Sequence, residues 1–224
     1  MTASNKPKSK GSILVIGAHS DDQVIGPGGA MAKYAKEGYD VHTIILSFGE
    51  GSYPHYRREI ISKSRVKEAQ RADKIIGGKG VTFLGLKEFR FQKDLEKRAI
   101  ANNIKQIIRR IKPVKIFTHS SDDAFPDHRA TFWIVLKLYK EMKLTADLYT
   151  FEIWHIFNLK KRKSPKLVVD TTDTFKIKKK AFDAFKTQKS IIFINLLFFL
   201  TQIKDLLNGI RHNSKYAEIF YKVR

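Results

Sequence analysis

A histidine and two carboxylates follow an apolar run near the start of this chain. Residues 13–18 read Ile-Leu-Val-Ile-Gly-Ala, which is typical of a strand buried on both faces of a parallel sheet. His19, Asp21 and Asp22 come directly after it. Open α/β sheets place their chemistry at the carboxyl ends of their strands. In the turn that must follow, His19 and Asp22 can face one space and share a cation, which leaves Asp21 for proton transfer.

A second polar segment follows another short strand about a hundred residues later. Residues 114–118 are strand-like, and the helix predicted at 127–142 begins next to Pro126, which suits a first helical turn. His128 should therefore lie near a helix start and beside a strand end. Together with His19 and Asp22 it makes a ligand set of two nitrogens and one oxygen. Three protein ligands with one open position are the usual arrangement of catalytic zinc.

These segments resemble the LmbE-like, or PIG-L-like, zinc-dependent deacetylases. The family's opening motif A-H-P-D-D-E reads Ala-His-Ser-Asp-Asp-Gln at residues 18–23. Further segments that resemble family landmarks occur in the family's order: Arg65-x-x-Glu68-x-x-x-Ala72, Phe83-Leu84-Gly85-Leu86, Asp127-His128-Arg129, Asp170-x-Thr172-Asp173 and Lys215-Tyr216-Ala217-Glu218. The resemblance covers the chain from about residue 12 to its end.

The resemblance implies a hydrolase that removes an N-acetyl group from an N-acetylglucosamine-containing substrate, such as a chitin-derived oligosaccharide or a glycoconjugate. By the same resemblance His19, Asp22 and His128 would bind one zinc ion per chain, and Asp21 would be the general base. The physical logic agrees, because a divalent ion activates water and polarises an amide carbonyl. A neighbouring carboxylate can then accept the water proton and return it to the leaving amine.

One departure from the family pattern affects the predicted chemistry. Phe125 stands where many members carry the histidine thought to support the oxyanion, and phenylalanine cannot donate a hydrogen bond. Without another donor the barrier would rise by about 3–4 kcal/mol. We predict that His212, in a polar loop near the chain end, replaces that donor from its own chain or from a neighbouring subunit. His155 and His55 are the alternatives.

Substrate contacts are predicted at three positions. Arg65, Glu88 and His155 are placed near the pocket by the resemblance or by their position after strand-like segments. Each has a simpler interpretation. Arg65 and Glu68 have the spacing of an ion pair on a solvated helix face, and Glu88 could simply be exposed.

The alternation of strand-like and helix-like segments predicts the fold. Apolar runs at 13–18, 41–48, 81–84, 114–118, 148–153 and 166–169 alternate with helical patterns at 27–37, 59–77, 92–111 and 127–142. Such alternation indicates a Rossmann-like α/β fold with a mostly parallel sheet and helices on both faces. The 224 residues suffice for one domain, 1–224, in which 1–11 is expected to be a flexible basic tail.

Composition limits the remaining possibilities. The chain has no cysteine, which excludes disulfides and thiolate ligands. Residues 1–10 are polar and lack the apolar core of a signal peptide. We therefore expect a cytoplasmic location.

An apolar run at 191–200 has three interpretations. Ten residues are too few to span a bilayer, which needs about 20. A buried core helix and a subunit interface remain nearly equal alternatives, because a helix that is apolar all round needs cover on several sides. We expect a homo-oligomer, with 191–200 as its possible interface. Peripheral membrane contact is a third alternative and is less favoured.

The net charge of +21 is large and is concentrated partly at 160–163 and 176–180. A basic surface attracts polyanions, but the sequence contains no recognised nucleic-acid-binding module, so nucleic acid is a disfavoured partner. Two rival functions follow from these observations. One is a metal-containing sugar-binding protein with weak or no catalysis, which Phe125 would permit. The other is a basic protein that binds nucleic acid or a membrane surface.

Overall fold

A computed structural model describes residues 9–49, 51, 57–95, 98–154 and 165–223. Within these ranges it contains seven strands and nine helices. In chain order they are β1 (Ser12–Gly17), α1 (Asp22–Ile25), α2 (Gly28–Lys36), β2 (Asp40–Ile45), α3 (Arg58–Ile76), β3 (Val81–Phe83), α4 (Phe91–Leu95), α5 (Arg98–Ile111), β4 (Pro113–His119), α6 (Pro126–Glu141), β5 (Asp147–Phe151), β6 (Lys166–Asp170), α7 (Phe175–Phe182), α8 (Lys186–Lys189), α9 (Ile192–Arg211) and β7 (Ala217–Lys222).

All seven strands form one sheet in the order β3-β2-β1-β4-β5-β7-β6. The first five in this order are parallel to one another, whereas β7 pairs antiparallel with both β5 and β6. The predicted mostly parallel α/β sheet is confirmed. The sequence pattern did not predict β7, which lies between two strands that precede it in the chain.

Strand β1 shows why helices cover both faces of the sheet. Its alternate side chains enter two separate apolar clusters: Ile13 and Val15 pack on the side of α2, α7 and α9, while Leu14 and Ile16 pack on the side of α5 and α6. All four are essentially inaccessible to solvent. A strand buried on both faces is expected to be a continuous apolar run rather than an alternating one, as residues 13–16 are.

The position of β1 determines where a site can form. It pairs with β2 on one side and with β4 on the other, so the strand order reverses at β1 and β4. A crevice opens beyond the carboxyl ends of strands at such a switch point. The polar residues that follow Gly17 and His119 therefore meet at one edge of the sheet.

The last quarter of the chain differs most from the sequence prediction. The apolar run at 191–200 is the first half of the 20-residue helix α9, and α7 and α8 precede it.

The helix predicted at 92–111 is divided into α4 and α5, and residues 96–97 between them lie outside the described residues. Residues 1–8 of the predicted tail are also outside them, whereas the Lys10 amide already donates a hydrogen bond to the Gly38 carbonyl (3.1 Å).

Helix α9 buries Leu197 and Phe198 in the core, but it also buries polar residues and exposes large apolar ones. Thr201, Asp205 and Asn208 are buried, whereas the large apolar side chains on the opposite side are exposed. The exposed ones are Ile192, Phe193, Leu196, Phe199, Leu207 and Ile210, which we call the outer face of α9. Among the described helices, α9 alone is long and apolar enough to cross a membrane, a test that a core helix of a soluble protein also passes.

The buried polar side of α9 contributes to an ion cluster away from the sheet edge. Lys178 Nζ donates to Asp205 Oδ2 and to Glu218 Oε1, both at 2.7 Å. The two carboxylate oxygens of Glu218 also accept the backbone N–H groups of Gly29 and Ala30, each at 2.8 Å. We call Lys178, Asp205 and Glu218 the closed cluster. It ties α7, α9 and β7 to the start of α2.

Candidate active site

The turn after β1 is held by its own side chains. Asp22 is the first residue of α1, and its Oδ2 accepts the backbone N–H of His19 at 2.7 Å. From α3, the buried Arg65 donates Nε–H to Ser20 Oγ at 2.8 Å. These bonds keep His19 and Asp22 on the same side of the turn, as their spacing predicted.

Three predicted metal ligands come together at this edge of the sheet. Asp22 Oδ2 lies 3.5 Å from His19 Nδ1, and Asp22 Oδ1 lies 3.4 Å from His128 Nε2. One ligand atom from each of the three residues lies within 4.8 Å of the other two, a spacing that could hold a metal ion. His128 lies in the first turn of α6, which begins at Pro126 as expected.

A carboxylate contacts a ring nitrogen of each of the two histidines. Asp123 Oδ1 is 3.0 Å from His128 Nδ1, and Asp127 Oδ2 is 3.3 Å from His19 Nε2. Asp127 is held in turn by the backbone N–H of Phe89 (2.9 Å). Metal-binding histidines commonly donate their second N–H to a carboxylate, which fixes the ring. Sequence reasoning assigned no role to these two aspartates, although their positions five and one residues before His128 were a usable signal.

The carboxylates make the site strongly anionic. Burial alone lowers the pKa of each histidine, but the carboxylates outweigh it. Asp127 and Asp22 raise the pKa of His19 to about 10, and Asp22 and Asp123 raise that of His128 to about 9. Burial by itself raises the pKa of Asp123, but the hydrogen bond to His128 and the charge of that ring outweigh burial and lower this pKa to about 2. The surroundings therefore favour positive charge between these side chains.

His119, the last residue of β4, contacts two of the three candidate ligands. Its ring stacks on His128 at 3.8 Å, and its Nε2 is 3.0 Å from Asp22 Oδ2. Burial and the neighbouring His128 lower the pKa of His119 to about 4, so the ring is neutral. His119, Asp123 and His128 form a second group with metal-ligand spacing. Only the group with His19 opens into a cavity, which a catalytic metal requires.

Asp21 lies beside the three ligands and contacts Arg65. The Arg65 Nη2 atom is 3.3 Å from Asp21 Oδ1, and Nη1 donates to the Gly49 carbonyl. Burial raises the pKa of Asp21, and the positive charge of Arg65 opposes this.

The solvated-face interpretation of Arg65 and Glu68 is wrong, because both are buried. Glu68 accepts hydrogen bonds from the backbone N–H (2.9 Å) and hydroxyl (2.6 Å) of Thr187.

A cavity of about 280 Å³ opens above these residues. Its described lining consists of a polar floor and a largely apolar wall: His19, Asp21, Asp22, Ile25, Arg65, Glu88, Phe125, His128, Ile153, Trp154, Gln188, Ile191, Ile194 and Leu197. Glu88 is in the lining rather than simply exposed. Its Oε1 is 3.7 Å from His19 Nε2, and its Oε2 accepts the Gly51 N–H at 2.7 Å.

Phe125 forms the part of the wall closest to the histidines. Its ring centroid lies 5.4 Å from that of His19 and 5.3 Å from that of His128, and it stacks on Trp154 at 5.9 Å. The side chain that replaces the family's histidine is therefore at the site and contributes no donor. Gln188 also lines the cavity, and nothing in the sequence pattern had indicated it.

The predicted replacement donor His212 lies elsewhere. It is exposed and caps the carboxyl end of α9, whereas the cavity is lined by residues at and near the start of that helix. A 20-residue helix is about 30 Å long, so His212 does not reach the pocket of its own chain. Its supply by another subunit stays a prediction. The alternatives His155 and His55 lie outside the described residues.

The family model of PIG-L, the GlcNAc-PI de-N-acetylases, matches residues 14–139. This is more than half of the chain and includes all three candidate ligands. The chain belongs to the PIG-L family.

Relatives within and around the PIG-L family carry more than one activity. A 4-oxalmesaconate hydratase of Pseudomonas putida is 32% identical over 143 residues, which are 61% of this chain and 53% of the relative. The match thus spans about half of that protein's length.

Solved structures support the same fold. The 4-carboxy-2-hydroxymuconate hydratase GalB of Pseudomonas putida superposes with a TM-score of 0.80 at 23% identity, over 96% of both chains. The N,N'-diacetylchitobiose deacetylase of Pyrococcus horikoshii has a TM-score of 0.76 at 18% identity, over 95% of this chain and 83% of that one. Both structures are less than 25% identical to this chain and support its fold, whereas the match over residues 14–139 shows the family.

Proposed function

We propose that this protein is a zinc-dependent N-deacetylase that acts on an N-acetylglucosamine-containing substrate, such as a chitin-derived oligosaccharide or a glycoconjugate. One observation carries the proposal. His19, Asp22 and His128 converge on one point at the floor of the cavity, and Asp21 lies beside them with a carboxylate that is not part of the ligand set. We call these four residues the pocket cluster.

The donor set fits zinc. Two imidazole nitrogens and one carboxylate oxygen are ligands that zinc accepts, and three protein ligands leave one position for substrate or water. Asp123 and Asp127 orient the two histidines. When bound, zinc would supply Lewis-acid chemistry by polarising the amide carbonyl and making water a better nucleophile at neutral pH.

The chain's own residues supply the proton transfers. Asp21 accepts the proton of the attacking water and then delivers it to the nitrogen of the leaving amine. Arg65 keeps the Asp21 carboxylate directed at the cavity floor, because its guanidinium is itself fixed by Ser20 and Gly49. The products of the step are acetate and the free amino sugar. The oxygen of the water ends in acetate, and the proton held by Asp21 ends on the amine.

The carboxylates of the cavity suit a reaction that forms an amine. The described lining contains three carboxylates, Asp21, Asp22 and Glu88, and one guanidinium that already contacts Asp21. An amine product gains a proton, and nearby carboxylates stabilise the resulting ammonium. Hydration stays the rival function, because the 32% identical relative is a hydratase.

One experiment separates the rivals. The zinc-loaded protein is incubated with N-acetylglucosamine, N,N'-diacetylchitobiose and 4-oxalmesaconate, and released acetate and consumed double bond are measured in parallel. We expect acetate from at least one amino sugar and no hydration above the rate of Asp22→Ala.

Each other outcome decides against the proposal. Hydration that depends on Asp22 would establish the rival activity. Binding of amino sugars without acetate release would establish a sugar-binding protein. If neither binding nor turnover occurs with zinc present, the pocket serves another substrate class.

A further inference from the structure

Gln188 has a buried donor that has no hydrogen-bond partner among the described residues. The residue belongs to the short helix α8 and is 2% exposed. Within the described residues six buried side-chain atoms lack a hydrogen-bond partner, and Gln188 Nε2 is the only one of them on a residue that lines the cavity. A buried N–H without a partner costs stability, so in a native protein it calls for an explanation such as a bound ligand.

The position of Gln188 is firmly set. The preceding residue, Thr187, is bound to Glu68 by its backbone N–H at 2.9 Å and by its hydroxyl at 2.6 Å. Glu68 lies one helical turn after Arg65 on α3, and Arg65 contacts Asp21. A single helix thus positions both the proposed base and the segment that carries Gln188.

The chemistry needs a donor of this kind. Phe125 contacts both histidine ligands and offers no hydrogen bond. Arg65 also lines the cavity, but its three nitrogens already contact Ser20, Gly49 and Asp21. The cavity, at about 280 Å³, is at the small end of the range for ligand sites, about 300–1,000 Å³.

We propose that Gln188 Nε2–H donates a hydrogen bond to the carbonyl oxygen of the substrate's acetyl group and to the oxyanion that forms from it. Glutamine side chains serve as oxyanion donors in other active sites. Water oxygen bonds to the carbonyl carbon, and the C=O π pair moves onto the oxygen that Gln188 faces. When that pair returns, the C–N bond breaks and the amine takes the proton held by Asp21. Gln188 itself transfers no proton.

This inference rests on the proposed function, and Gln188→Met tests it. Methionine keeps the length of the side chain and removes the donor. We expect kcat to fall by about 10²–10³, with unchanged zinc content and a KM within a few-fold of wild type. The Tm should stay the same or rise, because an unsatisfied polar group has been removed from a buried position.

Two glutamines provide matched controls. Gln202→Met on α9 lies outside the cavity lining and should leave kcat unchanged. Gln23→Met removes a buried amide that does have a partner, since Gln23 Nε2 donates to the Ser20 carbonyl at 2.7 Å. That variant should have a lower Tm, which calibrates the thermal readout for a structural glutamine.

The outcomes are distinguishable. A wild-type protein that releases no acetate contradicts the proposed function. An active wild type with unchanged kcat in Gln188→Met overturns the role of Gln188. A Gln188→Met variant whose Tm falls as far as that of Gln23→Met, with activity lost only in proportion to unfolding, overturns it as well and makes Gln188 structural.

Discussion

The pocket cluster and the closed cluster are both groups of charged side chains almost without solvent contact, yet they are built in opposite ways. In the closed cluster, Lys178 lies between Asp205 and Glu218, and backbone N–H groups satisfy the remaining carboxylate oxygens of Glu218. In the pocket cluster, Asp22 lies between His19 and His128, and Asp21 is contacted by Arg65. There the ligand atoms of His19, Asp22 and His128 converge on a shared point that opens to a cavity.

Burial of charge therefore does not by itself mark a functional site. A buried ion network can be purely structural, because a charge without its partner costs several kcal/mol and a paired charge holds its elements together. The pocket cluster differs because its metal-ligand atoms converge on a space that no protein atom fills. Substitutions in the pocket cluster should therefore mainly lower activity, whereas substitutions in the closed cluster should mainly lower the free energy of unfolding.

Asp21→Asn should have the largest effect on activity. It keeps the shape of the side chain and removes the proton acceptor, so kcat should fall by about 10²–10⁴ while zinc content and Tm change little. Acetate release and metal analysis on the same sample provide the measurement. Asp73→Asn, an identical change at a buried position on α3 outside the cavity lining, is the control. Loss of zinc from Asp21→Asn would make Asp21 a ligand rather than the base.

Lys178→Met should have the largest effect on stability. It leaves Asp205 and Glu218 buried without their cation, so the free energy of unfolding should fall by about 3–5 kcal/mol. Urea unfolding of the metal-free protein measures it without interference from zinc binding. Lys189→Met removes an exposed lysine paired with Asp183 and should cost at most about 1 kcal/mol. Equal effects of the two substitutions would remove the structural role of the closed cluster.

Asp123→Asn tests the support behind His128. Loss of the carboxylate that orients a ligand should weaken zinc binding about 10–100-fold, less than removal of a ligand by Asp22→Ala. Competition with a chelator measures this affinity. Asp147→Asn, at a partly exposed ion pair with Lys115 on the sheet surface, should leave zinc affinity unchanged. Wild-type affinity in Asp123→Asn would mean that His128 needs no orientation, or that zinc binds elsewhere.

The smallest effect on a single chain is expected at the outer face of α9. The inner side of this helix joins the closed cluster, whereas its outer face leaves six large apolar side chains exposed. We propose that a second copy of the chain covers them. Leu196→Asp should reduce the molecular mass measured by light scattering to that of one chain, and Ile60→Asp, at an equally exposed isoleucine on α3, should not. A wild type that is already monomeric contradicts this proposal.

The local sequence pattern was sufficient for the parallel part of the sheet and for choosing three residues that the fold brings together as candidate metal ligands. Residues 13–17 lie in a doubly buried strand because every residue in the run is apolar or small, and that property is visible without any partner. His19 and Asp22 meet because they are three residues apart in one turn. His128 could be added because it follows a second strand whose end lies at the same edge of the sheet.

Other features depended on contacts between segments that no spacing rule connects. Lys178 and Glu218 are 40 residues apart, and Thr187 and Glu68 are 119 apart. Residues 191–200 look like a core segment in sequence, but only part of the run, including Leu197 and Phe198, enters the core, and four large apolar side chains of the same run are exposed. Gln188 became a candidate only when its neighbours were known. A lone glutamine has no periodicity, and its importance comes from being buried beside a cavity with its donor unused. Periodicity and spacing report what a segment can do by itself, whereas burial and hydrogen-bond partnership are decided by the rest of the chain.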